Sequence, residues 1–205
     1  MTKRLFDATV ALMLLILTAP LQLAIAVAIR VRMGSPVLFR QQRTGRDGRA
    51  FALIKFRTMR DQSEPHRFHP TDDAERVTPL GAWLRRWSLD ELPTFWNVVR
   101  GDMSMVGPRP LPVEYESKYS AAQRRRHDVR PGITGLAVVQ GRNAVSWSDR
   151  FAADLDYVAH HGMRRDVAIL AKTVRLVVTG VGIASDAEFT GTEFTGTEFT
   201  GTESG

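Results

Sequence analysis

Residues 8–29, from Ala8 to Ile29, form an unbroken run of 22 uncharged positions, and this run sets the first limit on what the chain can become. As one straight helix it would be about 33 Å long, against a membrane hydrocarbon core of roughly 30 Å. Pro20 sits near its middle. The proline ring opposes the carbonyl of Ile16 and supplies no N–H to it, so a kink is expected there. The Thr18 hydroxyl is placed to satisfy a freed backbone group. Lys3 and Arg4 precede the run and Arg30 and Arg32 follow it. The positive-inside rule draws both ends to the cytoplasm. A helix that enters the membrane, breaks at Pro20 and returns meets both constraints, while a kinked single span remains the competing reading. A signal peptide fits less well, despite Ala24-Ile25-Ala26, because the run is long for one and Asp7 interrupts its entry. A buried core helix fits less well because the run has no polar face.

The remaining chain is basic. The formal net charge is +6, yet residues 185–205 hold five acids and no lysine or arginine, which leaves 28 bases against 17 acids on residues 1–184. Such a surface favours anionic partners: nucleic acid, phosphorylated small molecules or anionic lipid. No cysteine is present, which excludes disulfides and thiolate chemistry. Glu-Phe-Thr-Gly-Thr occurs three times between residues 188 and 202. A five-residue period of this composition cannot bury a core, so the tail reads as disordered.

Between anchor and tail the pattern is mixed. Val37–Gln42 and Ala50–Arg57 read as strands about the turn-rich residues 44–48, a hairpin signal. Arg60–Glu75 reads as a mobile loop. Helices are predicted over Leu80–Arg86, Ser88–Val99, Tyr115–His127 and Asp149–His161. Trp83 and Trp87 stand one turn apart, as core or at headgroup depth. Arg164–Val178 reads either as a helix lying on an anionic membrane or as an ordinary amphipathic cover for the core.

Ser88-Leu89-Asp90-Glu91 has two readings. Ser88 and Glu91 match a capping box, with Asp90 favoured at the positive end of a helix. The same geometry serves chemistry, because amides at a helix start bind phosphate and keep a carboxylate ionised. An ionised aspartate beside a second carboxylate is a candidate nucleophile and metal ligand. Cations recur in short contexts, Lys55-Phe56-Arg57, Pro108-Arg109-Pro110 and Gly141-Arg142-Asn143. An arginine braced by prolines is prepared for two-point contact with phosphate, although each alone is also an ordinary surface cation. The five histidines show no metal spacing and receive no role.

In order along the chain, these pieces resemble the monotopic phosphoglycosyl transferases, or bacterial sugar transferases, in their minimal form. The likeness runs from Lys3-Arg4 to about Val178. It includes Asp7, the Pro-broken apolar segment, Pro36 to Gln41, Lys55-Phe56-Arg57-Thr58-Met59 and Ser88 to Pro93. It continues through Asn97-Val98-Val99, Gly101 to Ser104, Val106 to Pro110, Pro131 to Gly135, Gly141-Arg142-Asn143 and Asp154. The resemblance implies a small, mostly helical α/β catalytic domain over residues 34–184. It also implies a re-entrant anchor over residues 1–33, broken at Pro20 beside Thr18, with residues 185–205 outside. It implies transfer of a phosphosugar from a UDP-sugar to polyprenyl phosphate, Mg²⁺ as cofactor, and a covalent intermediate at the cytoplasmic face of a bacterial inner membrane. Asp90 would be the nucleophile and Glu91 its partner near the metal. Lys55, Arg57, Arg109, Arg142 and Asp154 would contact phosphate or nucleotide. Partners would be UDP-sugar, polyprenyl phosphate and membrane lipid, not nucleic acid, and a homodimer stays open. The chain departs from the family at Ala19-Pro20, where Ser-Pro is common, and at Val138, where glutamine is common.

Two other classes compete. A nucleic-acid-binding module accounts for the charge but not for Ala8–Ile29 or the paired carboxylates, and would show salt-dependent affinity for DNA or RNA. An inactive membrane scaffold accounts for the anchor and leaves Asp90 and the arginines idle. Among enzymes, direct transfer with a carboxylate as base is the mechanistic rival.

Overall fold

The computed structural model describes residues 2–60, 76–141 and 146–179. The N-terminal run forms one long helix, α1 (Thr2–Met33), with Pro20 inside it. Gly34 follows at φ 75°, the left-handed conformation that ends helices and that glycine adopts without strain. Only Asp7, Ala11, Ile25 and Ile29 of α1 are buried. These are two pairs at four-residue spacing, one near each end, and the apolar side chains between them, Leu12, Met13, Ile16, Leu17, Leu21 and Leu23, are exposed. Thr18 does not serve the Ile16 carbonyl. Its hydroxyl donates to the Leu14 carbonyl at 2.6 Å and accepts from Gln22 Nε2 at 2.9 Å.

The hairpin forms as its turn residues predict, with β1 (Leu38–Thr44) antiparallel to β2 (Ala50–Phe56) and Phe39 opposite Lys55. Helix α2 (Pro79–Arg86) starts on Thr78, whose Oγ1 accepts from the Gly81 amide at 3.0 Å, with Pro79 at the first helical position. Trp83 and Trp87 are 49% and 40% exposed, so these rings are not core.

The predicted helix over Ser88–Val99 is two pieces, a 3-10 segment Leu89–Thr94 and then α3 (Phe95–Arg100). The capping box is not made. Ser88 is left-handed at φ 53°, ψ 24°, and its side chain caps nothing. An N-cap needs extended backbone, and the Glu91 carboxylate is taken by cations instead. The predicted helix over Tyr115–His127 is also broken. A 3-10 segment Val113–Lys118 stops at extended Tyr119, a true capping box of Ser120 and Gln123 starts the short α4 (Ala121–Arg124), and a 3-10 turn Arg125–Asp128 ends it. Tyr119 is 5% exposed and lies in an aromatic cluster with Trp147 and Phe151, and the break serves that burial.

Two short strands escaped the sequence reading, β3 (Ser104–Val106) and β4 (Gly132–Thr134), paired in parallel. The reason is steric. A Cβ on Gly132 would lie 2.1 Å from the Gly107 amide nitrogen, and one on Gly107 would lie 2.3 Å from the Arg130 carbonyl. The segment read as a tight turn is a close approach of two backbones. Three helices complete the described chain: α5 (Leu136–Gly141), α6 (Trp147–Ala159), capped by Ser146, and α7 (Met163–Thr179). The result is a mostly helical domain with two small sheets and one long apolar helix.

Both ends of α1 are fixed to this domain. Ala11 packs in a core with Leu53, Val98, Met105 and Tyr157. Arg4 donates to the Val98 and Val99 carbonyls, both at 2.6 Å, as expected of a cation at a helix C-terminus. Lys3 Nζ lies 2.6 Å from Asp166, and Ser104 Oγ donates to Asp7 at 2.7 Å. At the other end, Ile25 and Ile29 pack with Phe56 and Leu84.

Candidate active site

Strand β2 carries the first cation of the site. Its outer edge is closed by side chains rather than by a third strand. Thr94 Oγ1 donates to the Ile54 carbonyl at 2.8 Å, Asn97 Nδ2 donates to the Ala52 carbonyl at 2.8 Å, and Asn97 Oδ1 accepts from the Ile54 amide at 3.1 Å. These bonds satisfy backbone groups that an edge strand leaves open. They also lay the Leu89–Arg100 segment along β2. Lys55 Nζ thereby meets Glu91 Oε1 at 2.6 Å.

The second cation comes from the loop after β3. Gly107 and Gly132 bring β3 against β4, and Arg109 emerges between Pro108 and Pro110. Its Nη2 donates to the same Glu91 Oε1 at 3.1 Å. Burial pushes the Glu91 carboxyl up, but the charges of Lys55 and Arg109 and their hydrogen bonds outweigh it and hold its pKa down at about 2. Glu91 is therefore an ionised carboxylate between two cations. The two cations and Glu91 line a small open pocket together with Arg43, Thr94, Met103, Pro110 and Gly132.

The structure sorts the remaining predicted residues. Asp90 stands in the same 3-10 turn, next to Glu91, but is 5% exposed and is not among the residues that line the pocket. Two residues before it, the left-handed backbone at Ser88 costs a non-glycine side chain about 1 kcal/mol or more. Arg57 is not in the pocket. Its guanidinium donates to the carbonyls of Met33, Gly34 (3.0 Å) and Ser35 (3.2 Å), so it tethers the end of α1. Asp154 is also away from the lining. It is 2% exposed, and its Oδ2 accepts from Arg126 Nη2 at 2.6 Å and Nε at 3.1 Å. The same Arg126 Nη2 donates to the Arg109 carbonyl at 2.8 Å, and Nη1 donates to Tyr119 Oη at 3.2 Å. Asp154 thus reaches the pocket through Arg126 and the backbone of Arg109. Arg142 lies outside the described residues.

Sequence reading missed Arg43, Arg126 and the edge-closing role of Thr94. Arg43 stands in a strand, so no local pattern marks it. Arg126 sits in a basic run where a solvated face is the ordinary expectation, and its burial depends on the break at Tyr119. Among the described residues no cluster of three or more carboxylate, histidine or cysteine side chains would hold a metal by protein ligands alone.

A small domain with a cation-lined pocket, a paired carboxylate turn and an exposed apolar helix fixed at both ends is the form of an anion-handling, membrane-associated protein. The chain belongs to the bacterial sugar transferase family, whose model matches residues 1–180. It is 45% identical to the uncharacterized sugar transferase EpsL of Bacillus subtilis over 181 residues, covering 88% of this chain and 89% of that one. It is 40% identical to a UDP-glucose:undecaprenyl-phosphate glucose-1-phosphate transferase of Caulobacter vibrioides, covering 86% and 70%. It is 36% identical to an undecaprenyl-phosphate galactose phosphotransferase of Salmonella typhimurium, covering 86% of this chain and 40% of that longer one.

Proposed function

We propose that this protein transfers a phosphosugar from a UDP-sugar to a polyprenyl phosphate, giving polyprenyl-diphosphate-sugar and UMP. The observation that carries the reading is Glu91 held ionised between Lys55 and Arg109 in a cation-lined pocket, with Asp90 preceding it in the same turn. The relatives named for undecaprenyl-phosphate transfer point the same way.

The proposed reaction has two displacements. An Asp90 carboxylate oxygen bonds to the phosphorus that carries the sugar, and the bond from that phosphorus to the bridging oxygen breaks. The bridging oxygen keeps the electron pair and leaves on UMP. An oxygen of polyprenyl phosphate then bonds to the same phosphorus, and the bond to Asp90 breaks, restoring the carboxylate. Splitting the transfer keeps the two anionic substrates from meeting directly. Arg109, braced by its prolines and by Arg126, faces the transferring phosphoryl group in both steps, and Lys55 adds a second fixed charge. Arg142 is assigned to the same phosphate contacts, and Asp154 to holding Arg109 through Arg126.

The donor set suits Mg²⁺. Glu91 is a hard oxygen ligand kept ionised, Asp90 is its neighbour, and Mg²⁺ characteristically takes one or two carboxylates plus water and substrate phosphate. Asp90 and Glu91 would hold it, and when bound it supplies charge neutralisation for the diphosphate.

The anchor reading is re-entrant, with the catalytic domain at the cytoplasmic face of the inner membrane, although the break expected at Pro20 is not seen and α1 runs through it as one helix. It rests on the attachment of both ends of α1 to one domain, with basic residues beside both. The direct test of the activity is purified protein with Mg²⁺, polyprenyl phosphate and a panel of UDP-sugars. UMP release with at least one donor, dependent on the lipid for continued turnover, is expected. Silence across the panel, with salt-dependent nucleic-acid binding instead, would overturn the reading.

A further inference from the structure

Arg43 has no explanation in the chemistry above. It is the penultimate residue of β1 and lines the same pocket as Lys55, Glu91 and Arg109. Its Nη1 donates to the Pro110 carbonyl at 3.1 Å and its Nη2 to Gln41 Oε1 at 2.6 Å. Its Nε–H is buried and has no hydrogen-bond partner. Among the described residues no carboxylate lies within ion-pair distance of it. The charge that acts on it most strongly is another cation, Arg109, with Glu114 and Glu91 acting the other way. Burial first, and then Arg109, pull the guanidinium pKa down to about 10.

Burying a cation beside a like charge, with the carboxylates of Glu114 and Glu91 acting on it only from beyond ion-pair distance, works against the folded state. A purely structural strap between β1 and the Pro110 loop does not need a charge. Asparagine or glutamine would hold the same carbonyl, and the strands are already tied there by the Thr44 amide donating to the Leu111 carbonyl at 3.0 Å. A guanidinium fixed at two corners in the wall of a pocket is prepared for a phosphate oxygen. The lining carries three cations and one carboxylate, an excess suited to a doubly anionic diphosphate.

We propose that Arg43 is a substrate-binding residue of the pocket, the third cation that holds the diphosphate of the nucleotide-sugar donor. This rests on the transferase reading and adds a residue to its donor site. Donor affinity should therefore depend on the charge at position 43 more than on its strapping bonds.

The test uses the full chain in detergent. Donor KM is measured for wild type, Arg43→Gln and Arg43→Lys, together with calorimetric affinity for UDP and uridine and with Tm. Arg43→Gln should raise donor KM and weaken UDP binding by about tenfold or more, with uridine affinity within about twofold of wild type. Arg43→Lys, which keeps the charge and loses the fork, should recover at least a third of the UDP affinity lost. Wild-type donor KM and UDP affinity in a folded Arg43→Gln would overturn the proposal and leave the transfer reaction standing. So would equal loss in both variants that tracks a fall in Tm, because position 43 would then be a strap alone. If wild type itself binds no UDP and turns over no donor, the transferase reading fails first, and the proposal with it.

Discussion

Glu91 has two sets of partners within reach, a backbone amide at the start of its turn and the cations of the pocket. Three residues after Ser88 it completes a capping pattern, yet the carboxylate turns to Lys55 and Arg109, because charge-assisted bonds to two cations outcompete one backbone amide. The depressed Glu91 pKa has a defined pH signature. A carboxyl lowered from the ordinary 4.5 to about 2 contributes stability that is complete above pH 4.5 and is lost as pH falls toward 2. The stability difference between wild type and Glu91→Gln should stay level from pH 7 to about 4.5 and shrink below that. A difference that grows as pH falls would show that the carboxylate is not held by its cations. Asp154 makes a separate prediction. Its removal strands the Arg126 guanidinium in a site 2% exposed, and breaking a buried pair in this way costs about 3–5 kcal/mol. Asp154→Ala should lower Tm sharply, and adding Arg126→Met should restore part of the loss. Wild-type Tm in Asp154→Ala would show that the pair contributes nothing to the fold.

At the level of elements, much was readable where one local signal acts alone. The hairpin follows from its turn residues, and the helices read at Leu80–Arg86, Asp149–His161 and Arg164–Val178 are present as α2, α6 and α7. What escaped depends on contacts remote in sequence. The β3–β4 pair rests on Gly107 meeting Gly132, and the Tyr115–His127 segment breaks because Tyr119 is drawn into an aromatic cluster. In the site, Lys55, Glu91 and Arg109 were legible as motifs. Arg43 was not, because nothing near it in sequence marks a pocket. Helix α1 carries its own prediction. Both of its ends pack on the same domain, and the re-entrant reading proposed above puts both on one side of the membrane. The chain has no cysteine, and a single one placed at Thr2 gives a clean probe. An impermeant thiol reagent should leave it unlabelled in intact cells and label it after lysis. Labelling from outside would establish a single span.

For the whole molecule, the family match ends at residue 180 and the acidic repeats begin at residue 188. The tail lies outside the described residues. Its charge opposes that of the preceding domain, and its composition supports no core. Deleting residues 185–205 should leave specific activity within about tenfold of wild type, a barrier change under about 1.4 kcal/mol. A greater loss would give the repeats a part in catalysis. The central claim is that Asp90 carries the phosphosugar between two separate displacements. The most direct measurement incubates wild type with the UDP-sugar donor and Mg²⁺, without lipid, followed by a quench that preserves acyl phosphates and by peptide mass analysis. The account predicts up to one equivalent of UMP and the added mass of a phosphosugar on the peptide containing Asp90, both absent in a folded Asp90→Asn. No UMP and no adduct until polyprenyl phosphate is added, with Asp90→Asn still turning over, would contradict it.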